Sequence, residues 1–317
     1  MPAGMSAPSF IQQPPSRLTV GTVQFGMPYG VANHTGRPSF ETVCDILRVA
    51  HEGGVDVLDT APGYGESEEW IGRALRILGL RERMRVVTKL SPLPGDLSRL
   101  QLARQIEAQV AQSLKRLGLE RIPLCLFHEE KDIRYAEELL ALKAQGLIEA
   151  AGVSLVHPEF GWKALQTPEL GAWQLPTNVL DRRFTHSGLT AAAKEAGVAI
   201  FVRSVYLQGL ILMADAATPP FLREVIPARR RFREIAARFG LPPAELAMRA
   251  ILSRPDVRSV VIGVETVAQI KDNVALFAKA ALPAEVIAAL EASDPQLPES
   301  IISPPEWEKA KAAFRPK

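Results

Sequence analysis

Residues 55–72 read VDVLDTAPGYGESEEWIG and combine three patterns in a row. An apolar, β-branched run ends at Asp59, which is typical of a buried strand. A short loop follows, with Tyr64 between two glycines. From Ser67 onward, apolar residues recur at helical spacing. The stretch therefore predicts a strand that ends on a carboxylate, a glycine-rich loop and an amphipathic helix.

The same pattern of a strand followed by a helix occurs eight times along the chain. The predicted strands are 18–24, 55–59, 85–89, 123–128, 148–154, 172–178, 199–204 and 259–264. Such alternation predicts a parallel sheet with right-handed crossovers, and eight repeats close a barrel. An open doubly wound sheet usually carries a GxGxxG loop after its first strand, and the segment GTVQFGMPYGVANHTG lacks that spacing. We therefore predict an α/β fold of the (β/α)8 TIM-barrel class.

The pattern predicts a single domain. Residues 1–16 are small, polar and proline-rich and should form a flexible tail. Residues 17–317 should form the barrel, including a C-terminal segment, 294–317. The C-terminal residues 298–317 and the insertion 207–225 are expected to wall or cover a pocket. Glycines stand where helices should end in the left-handed conformation, namely Gly54, Gly79, Gly118, Gly146, Gly197 and Gly240.

The composition excludes several classes of function. Of 317 residues, 47% are hydrophobic and 23% charged, and the net charge of +2 argues against a nucleic-acid binder. The basic cluster at 229–233 is expected to be a solvated helix face, with a phosphate-binding patch as the alternative. No apolar stretch reaches the roughly 18 residues that a membrane span needs. Cys44 and Cys125 are predicted to be buried free thiols in a reducing compartment, which indicates a cytoplasmic protein.

Polar residues end six of the predicted strands, namely Asp59, Lys89, His128, Ser154, Asn178 and Ser204. In a (β/α)8 barrel the C-terminal ends of all strands face one mouth. Each residue alone also has an ordinary explanation, such as a helix cap, a solvated lysine or a core histidine. Their coincidence at successive strands favours a shared site that also includes Tyr64.

These residue types fit acid–base chemistry on a carbonyl group. A phenol such as Tyr64 can donate its proton to an oxygen on which negative charge develops. The Lys89 ammonium would stabilise the phenolate, and Asp59 would hold that ammonium in place. His128 could orient the substrate oxygen or relay a proton. Because no side chain supplies a hydride, a nicotinamide cofactor is expected, whereas the five histidines have no metal-site spacing and we predict no metal.

The chain resembles the aldo/keto reductase superfamily over residues 18–280. LDTAPGYGESEEWIGRAL resembles the family's second-strand signature, VVTKL its lysine strand, LFHEE its histidine strand and WQLPTNVLDRR its sixth-strand segment. PAELAMRAILSRPDVRSVVIGVETVAQIKDN resembles the closing helix and strand with the cofactor-binding helix. The resemblance implies a barrel that binds NADP(H) or, less often, NAD(H). It also implies interconversion of a small aldehyde, ketone or sugar and its alcohol, without nucleic-acid or membrane partners.

The resemblance also implies a set of site residues. The catalytic residues would be Asp59, Tyr64, Lys89 and His128. The cofactor-binding residues would be Ser154, Gln174, Arg203, Ser204, Leu207, Gly209, Gly263, Gln269 and Asn273. The asparagine that usually follows the serine of the fifth strand is Leu155 here, which puts one cofactor contact in doubt.

Two further parts of the predicted site depart from the family pattern. Arg203 stands where many relatives have an aromatic residue that stacks on the nicotinamide. Its guanidinium could stack there, bind a substrate anion or pair with a loop carboxylate. In the adenosine segment, Glu265 and Gln269 stand where basic residues accompany selectivity for the 2′-phosphate, which favours tolerance of NAD(H). Lys271 could still reach a phosphate.

Two other functions stay open. Lys89 could form a Schiff base in a lyase or aldolase, although the neighbouring Asp59 would keep its amine charged. The non-enzymatic alternative is a partner subunit that binds nucleotide only as a sensor. The sequence does not indicate the oligomeric state.

Overall fold

Eight parallel strands form a closed barrel in chain order, and β8 pairs with β1. The computed structural model describes Phe10, residues 14–31, Asn33 and residues 35–314. The strands are β1 (Leu18–Gly21), β2 (Val57–Asp59), β3 (Arg85–Leu90), β4 (Ile122–Phe127), β5 (Ile148–Ser154), β6 (Ala172–Pro176), β7 (Ala199–Arg203) and β8 (Ser259–Gly263). The predicted (β/α)8 TIM-barrel class is confirmed.

Helices surround the barrel and continue into the C-terminal segment. They are α1 (Val23–Gly26), α2 (Phe40–Glu52), α3 (Ser67–Leu78), α4 (Arg99–Leu117), α5 (Ala136–Ala144), α6 (Pro158–Ala164), α7 (Arg183–His186), α8 (Leu189–Glu195), α9 (Ile226–Arg238), α10 (Pro243–Leu252), α11 (Val267–Phe277), α12 (Ala284–Glu291), α13 (Glu299–Ile302) and α14 (Trp307–Ala313). All six glycines predicted to end helices have positive φ angles, as the left-handed conformation requires.

Two strands end two or more residues before their predicted C-terminal ends. The first ends at Gly21 because residues 23–26 turn into α1. The sixth ends at Pro176 because Asn178 organises a turn instead of extending the strand. The Asn178 Oδ1 accepts the backbone N–H groups of Leu180 and Asp181 at 2.8 and 3.0 Å.

The pleat of the strands decides which side chains reach the barrel interior. The interior contains an apolar cluster, with Phe10 packed on it, made of Val57, Val87, Leu124, Leu126, Ala150, Ala172, Ala199, Phe201 and Val261. Successive side chains of a strand point to opposite faces, so a residue two positions later points inward again. In six strands that next inward position toward the C-terminal end is Asp59, Lys89, His128, Gln174, Arg203 or Gly263. The layer above the apolar core is therefore polar, and it forms one end of the barrel.

A second apolar core lies beside the barrel. The insertion contributes Leu210, Ile211 and Leu222 to it, and α9 contributes Phe232. Trp307 of α14 packs into the same core, and its indole N–H donates to the Ile301 carbonyl at 3.0 Å. The insertion and the C-terminal segment are thus held together on one side of the barrel.

The prediction that the 229–233 cluster forms a solvated helix face is wrong for Arg229, whose side chain is fully buried. Its Nη1 donates to the Leu210 carbonyl at 2.9 Å and its Nη2 to Asp215 Oδ1 at 2.7 Å. Arg230 and Arg233 donate to the same carboxylate at 2.7 and 2.9 Å. The hydrogen bonds from Arg230 and Arg229 keep the pKa of Asp215 well below its usual value. Asp215 belongs to the insertion and the arginines to α9, so these ion pairs hold the insertion against α9. A buried guanidinium such as that of Arg229 needs a carboxylate partner.

Both cysteines are free thiols. Cys125 is buried, and burial raises its pKa to about 12. Cys44 is only half-buried, contrary to the prediction. In the part of the chain that the structure describes, no helix combines the length and the apolar character that crossing a membrane requires.

Candidate active site

A cavity of about 620 Å³ opens at the C-terminal ends of the strands. Its lining includes Asp59, Tyr64 and His128 from the loops and ends of β2 and β4. The insertion and the C-terminal segment complete the wall. The volume is typical of a small-molecule site, and the position is the one at which (β/α)8 enzymes carry their chemistry.

A buried ion pair lies behind this lining. Lys89 is 1% exposed, and its Nζ donates to Asp59 Oδ1 at 2.8 Å and to the Thr60 carbonyl at 2.9 Å. Burial opposes the charged ammonium, but Asp59 and Tyr64 outweigh burial and raise the pKa of Lys89. The same Asp59 oxygen accepts from Gln174 Nε2 at 2.7 Å. The ammonium is therefore charged at neutral pH and fixed in position.

Tyr64 lies next to this ammonium. Lys89 Nζ is 5.1 Å from the centroid of the Tyr64 ring. The Tyr64 ring meets the His128 imidazole edge to face, with 6.0 Å between centroids and an angle of 86°. The four predicted catalytic residues thus form one cluster, in which Tyr64, His128 and Asp59 line the cavity and Lys89 stands behind them.

His128 is neutral in this environment. Burial, followed by the charges of Lys89 and Arg203, lowers the pKa of His128 to about 3. A neutral imidazole carries one N–H donor and one acceptor nitrogen. At neutral pH His128 can donate one hydrogen bond into the cavity without adding a charge to it.

A close backbone contact positions the loop that carries Tyr64. A Cβ atom at Gly26 in α1 would lie 1.6 Å from the Tyr64 carbonyl oxygen. Gly65 has a φ of 57°, and a Cβ there would lie 2.5 Å from the Gly26 carbonyl oxygen. Gly63, by contrast, has open space around it. The sequence indicated the two glycines beside Tyr64, but the tight contact is between Gly65 and Gly26.

Most of the predicted cofactor-binding residues line the cavity, namely Ser154, Gln174, Arg203, Ser204, Gly209, Gly263 and Gln269. Leu207 instead packs into the apolar core of the insertion, and Asn273 is buried on α11 outside the lining. Gln269 also closes the first turn of α11, where its Oε1 accepts the backbone N–H of Glu265 at 2.7 Å. Among the described residues, no group of three or more His, Cys, Asp or Glu could hold a metal ion.

Gln24 and Tyr29, which were not predicted to be site residues, also line the cavity. Gln24 is 8% exposed, and its Oε1 has no partner among the described residues. A Cβ at Gly263 would lie 2.5 Å from Gln24 Nε2, so the glycine makes room for this side chain. The Tyr29 hydroxyl accepts from Gln208 Nε2 at 3.0 Å. Gln24 is the last residue of the predicted first strand, 18–24, so the pattern of polar residues at strand ends could have marked it. Tyr29 lies in a segment without a periodic pattern, so no sequence signal marks it.

The loop after β7 suits an anionic ligand. Ser204, Leu207 and Gln208 have φ angles of 65°, 47° and 53°. Such conformations cost about 1–3 kcal/mol each and cluster at ligand-binding loops. Val205 and Tyr206 line the cavity, and their backbone N–H groups have no acceptor among the described residues, so these groups are available to a phosphate. Together with the unpartnered Gln24 oxygen, this donor and acceptor set fits a nicotinamide dinucleotide.

Comparison with known proteins agrees with this fit. The sequence model of the Aldo/keto reductase family matches residues 17–295. The chain belongs to the aldo/keto reductase family. The reductase is 30% identical to the NADH-specific methylglyoxal reductase of Escherichia coli (strain K12), over 87% of this chain and 96% of that protein. It is 27% identical to the L-glyceraldehyde 3-phosphate reductase of the same strain, over 72% of this chain and 77% of that protein.

The fold of the reductase also matches a solved structure. The holo form of the aldo-keto reductase AKR11C1 from Bacillus halodurans superposes with a TM-score of 0.73 and 24% sequence identity. The match covers 89% of this chain and 93% of that one. The predicted family and enzyme class are confirmed: the protein is an oxidoreductase of a family that acts on carbonyl and alcohol groups with nicotinamide cofactors.

The C-terminal segment of the reductase forms part of the cavity wall through Pro304 and Pro305. Glu299, at the start of α13, accepts from Arg183 Nη1 at 2.6 Å and lies 3.1 Å from His157 Nε2. His157 Nδ1 in turn contacts a Glu130 oxygen at 2.5 Å. The segment is thus anchored to the loops that follow β4, β5 and β6.

Substitution of Gly26 tests the contact that positions Tyr64. Gly26→Ala should lower the free energy of unfolding by about 1–3 kcal/mol and reduce carbonyl reduction, because its methyl group displaces the Tyr64 carbonyl. Gly63→Ala is the matched control and should change stability by less than about 0.5 kcal/mol. Urea unfolding and steady-state assays measure both effects. Equal behaviour of the two variants would contradict the assignment.

The low pKa of His128 predicts a pH dependence of stability. The unfolded chain binds a proton at this histidine near pH 6.5, whereas the folded protein does not until about pH 3, so stability falls as the pH is lowered from neutral. When the pH is lowered from 7.5 to 5.5, the free energy of unfolding should fall by about 1.4 kcal/mol more in the wild-type protein than in His128→Gln. Urea unfolding of both proteins at the two pH values measures this difference, and identical losses would be the contrary result.

Proposed function

We propose that this reductase interconverts a small carbonyl compound and the corresponding alcohol, with Tyr64 as the general acid and base. The observation that carries the proposal is the buried Lys89–Asp59 ion pair beside the Tyr64 ring, at the wall of the cavity. A phenol donates its proton more readily where a fixed positive charge stabilises the phenolate. Family membership supports the reaction class.

In the direction of reduction, Tyr64 donates its hydroxyl proton to the carbonyl oxygen. Lys89 stabilises the phenolate that remains, and Asp59 keeps Lys89 charged and in place. Neutral His128 donates a hydrogen bond to the same oxygen and stabilises the negative charge that develops on it. A bound reduced nicotinamide supplies the hydride for the carbonyl carbon. The carbonyl becomes an alcohol, and the phenolate recovers its proton from solvent.

Several residues are suited to hold the cofactor. Gln174 Nε2 donates a hydrogen bond to Asp59, which leaves Gln174 Oε1 to accept one from the nicotinamide carboxamide. Ser154 ends the neighbouring strand and lines the same part of the cavity. The backbone N–H groups of residues 205–206 are suited to the phosphates, whereas the first turn of α11 is already capped by Thr266 and Gln269. Gln24 Oε1 is suited to accept from a ligand hydroxyl or amide.

Both alternatives from the sequence analysis are less well supported. A Schiff base needs a neutral amine that the substrate can reach. Lys89 is instead buried and paired, and its pKa is raised by Asp59 and Tyr64 against the effect of burial. A sensor role without catalysis does not require the cluster of Tyr64, Lys89 and Asp59.

The Tyr64 proposal is tested with a panel of aldehydes, ketones and sugars that includes methylglyoxal. Tyr64→Phe should lower kcat by roughly 100- to 10,000-fold, because the variant has no proton to donate. The dissociation constant for reduced cofactor, measured by fluorescence, should stay the same. Tyr135→Phe, which alters a tyrosine outside the cavity lining, is the matched control. Wild-type turnover by Tyr64→Phe would disprove the role of the phenol.

We further propose that the reductase accepts NAD(H) in preference to NADP(H). Glu265 lines the cavity at the start of α11, and its Oε2 accepts from Gln269 Nε2 at 2.7 Å. A carboxylate held there repels a 2′-phosphate, whereas it can accept from a ribose hydroxyl. The NADH specificity named for the E. coli relative supports this preference.

Replacing Glu265 tests the cofactor preference. Wild-type kcat/KM should be higher with NADH, and Glu265→Gln should raise the NADPH-to-NADH ratio of kcat/KM roughly fivefold, since two charges about 4 Å apart interact by about 1 kcal/mol in water. Glu285→Gln, on the exposed face of α12, removes an equal charge and should leave the ratio unchanged. A preference for NADPH that Glu265→Gln does not alter would contradict the proposal.

A further inference from the structure

Arg203 is the one arginine or lysine among the described residues that line the cavity. It ends β7 on the inner face of the barrel and shares the lining with Tyr64 and His128. Its charge contributes to the low pKa of His128, after burial and Lys89. The guanidinium therefore lies within electrostatic reach of the place where the substrate carbonyl would be protonated.

The protein provides partners for only some of the N–H donors of Arg203. Its Nη2 donates to the Leu155 carbonyl at 3.0 Å, and its Nη1 meets Ser204 Oγ at 3.5 Å. No carboxylate of the described residues lies within 4.0 Å of the guanidinium, so the pairing with a loop acid considered from the sequence is not observed among them. Arg203 Nε has no acceptor among the described residues. It is not among their fully buried polar atoms either, so it is accessible from the cavity that Arg203 lines.

An incompletely paired cation of this kind favours an anionic ligand. Burial lowers the pKa of Arg203, although two tyrosines and two more distant aspartates act in the opposite direction. A guanidinium nevertheless stays protonated in proteins. Removing a charge from water without a partner is unfavourable, and a carboxylate or phosphate would relieve that cost by accepting from the fork of N–H groups.

The position of Arg203 favours a substrate anion over a cofactor phosphate. Its bond to the Leu155 carbonyl places it beside Ser154, at the end of the cavity assigned to the nicotinamide. The donors suited to phosphates are the backbone N–H groups of residues 205–206, in the loop beyond the end of β7. Glu129 adds a negative charge to the lining, so the attraction is confined to anions that reach the guanidinium itself.

We propose that Arg203 binds an anionic group of the substrate, so that the reductase prefers carbonyl compounds that carry a carboxylate or a phosphate close to the carbonyl. This inference rests on the proposed carbonyl reduction and names its substrate class. Arg203 acts here as a specificity residue, and the proton still comes from Tyr64.

The test uses pairs of related carbonyl substrates in which one member carries the anionic group and the other is neutral. Phenylglyoxylate is compared with its methyl ester, and glyceraldehyde 3-phosphate with glyceraldehyde. For at least one pair, wild-type kcat/KM should be higher for the anion, and the responding pair identifies carboxylate or phosphate as the preferred group. Arg203→Gln should lower the anion-to-neutral ratio of kcat/KM by roughly 10- to 100-fold, as expected for a hydrogen bond to a charged group. Any general loss of activity cancels in this ratio.

Two variants and a binding measurement complete the design. Arg203→Lys keeps the charge and should restore part of the ratio. Arg121→Gln removes an exposed charge outside the cavity lining and should leave the ratio at its wild-type value. In the presence of NAD⁺, where no reduction occurs, calorimetry should show at least roughly tenfold weaker binding of the preferred anion to Arg203→Gln.

Equal kcat/KM for anion and neutral partner in both pairs, or an equal effect of Arg203→Gln on both partners, would overturn the inference. Reduction of the neutral partners and its loss in Tyr64→Phe test the proposed function separately. If neither pair is reduced, the calorimetric result alone decides: anion binding that Arg203→Gln does not weaken rejects the role of Arg203.

Discussion

The ion pair between Lys89 and Asp59 is the interaction on which the rest of the site depends. Lys89 is only 1% exposed, and burying its ammonium is unfavourable unless a carboxylate and further acceptors compensate for the lost hydration. Asp59 and the Thr60 carbonyl provide that compensation, and Gln174 Nε2 donates to the same Asp59 oxygen and helps to fix it. The three side chains come from β2, β3 and β6, so closure of the barrel is what brings them together.

The barrel supplies a fixed charge, and the loops bring the groups that use it. Tyr64 reaches the ammonium only because Gly26 and Gly65 let two backbone segments approach without side chains between them. His128 stays neutral because it is buried near two cations. Arg203 leaves donors open to the cavity that the protein does not satisfy. A phenol, a neutral imidazole and an available cation thus line one cavity.

The sequence predicted the parts of this arrangement that follow from periodicity. Eight apolar runs followed by helices indicate a barrel, and the pleat places Asp59, Lys89 and His128 on one inward layer. Other features depend on contacts between distant segments that have no pattern of their own. Gln24 and Gly26 acquire their roles only through Gly263 and the Tyr64 loop. For the same reason Arg229, which occupies a charged stretch of helix, was expected in solvent, whereas Asp215 of the insertion holds it inside.

Single-turnover kinetics of Lys89→Met tests the central claim most directly. Methionine keeps most of the length of the side chain and removes the charge. The double variant Asp59→Asn/Lys89→Met also avoids a buried carboxylate without a partner. Mixing enzyme and NADH with an aldehyde in a stopped-flow instrument gives the rate constant for oxidation of the cofactor. Our account predicts a loss of roughly 100- to 10,000-fold in both variants, with the dissociation constant for NADH unchanged. A wild-type rate constant in either variant would contradict it.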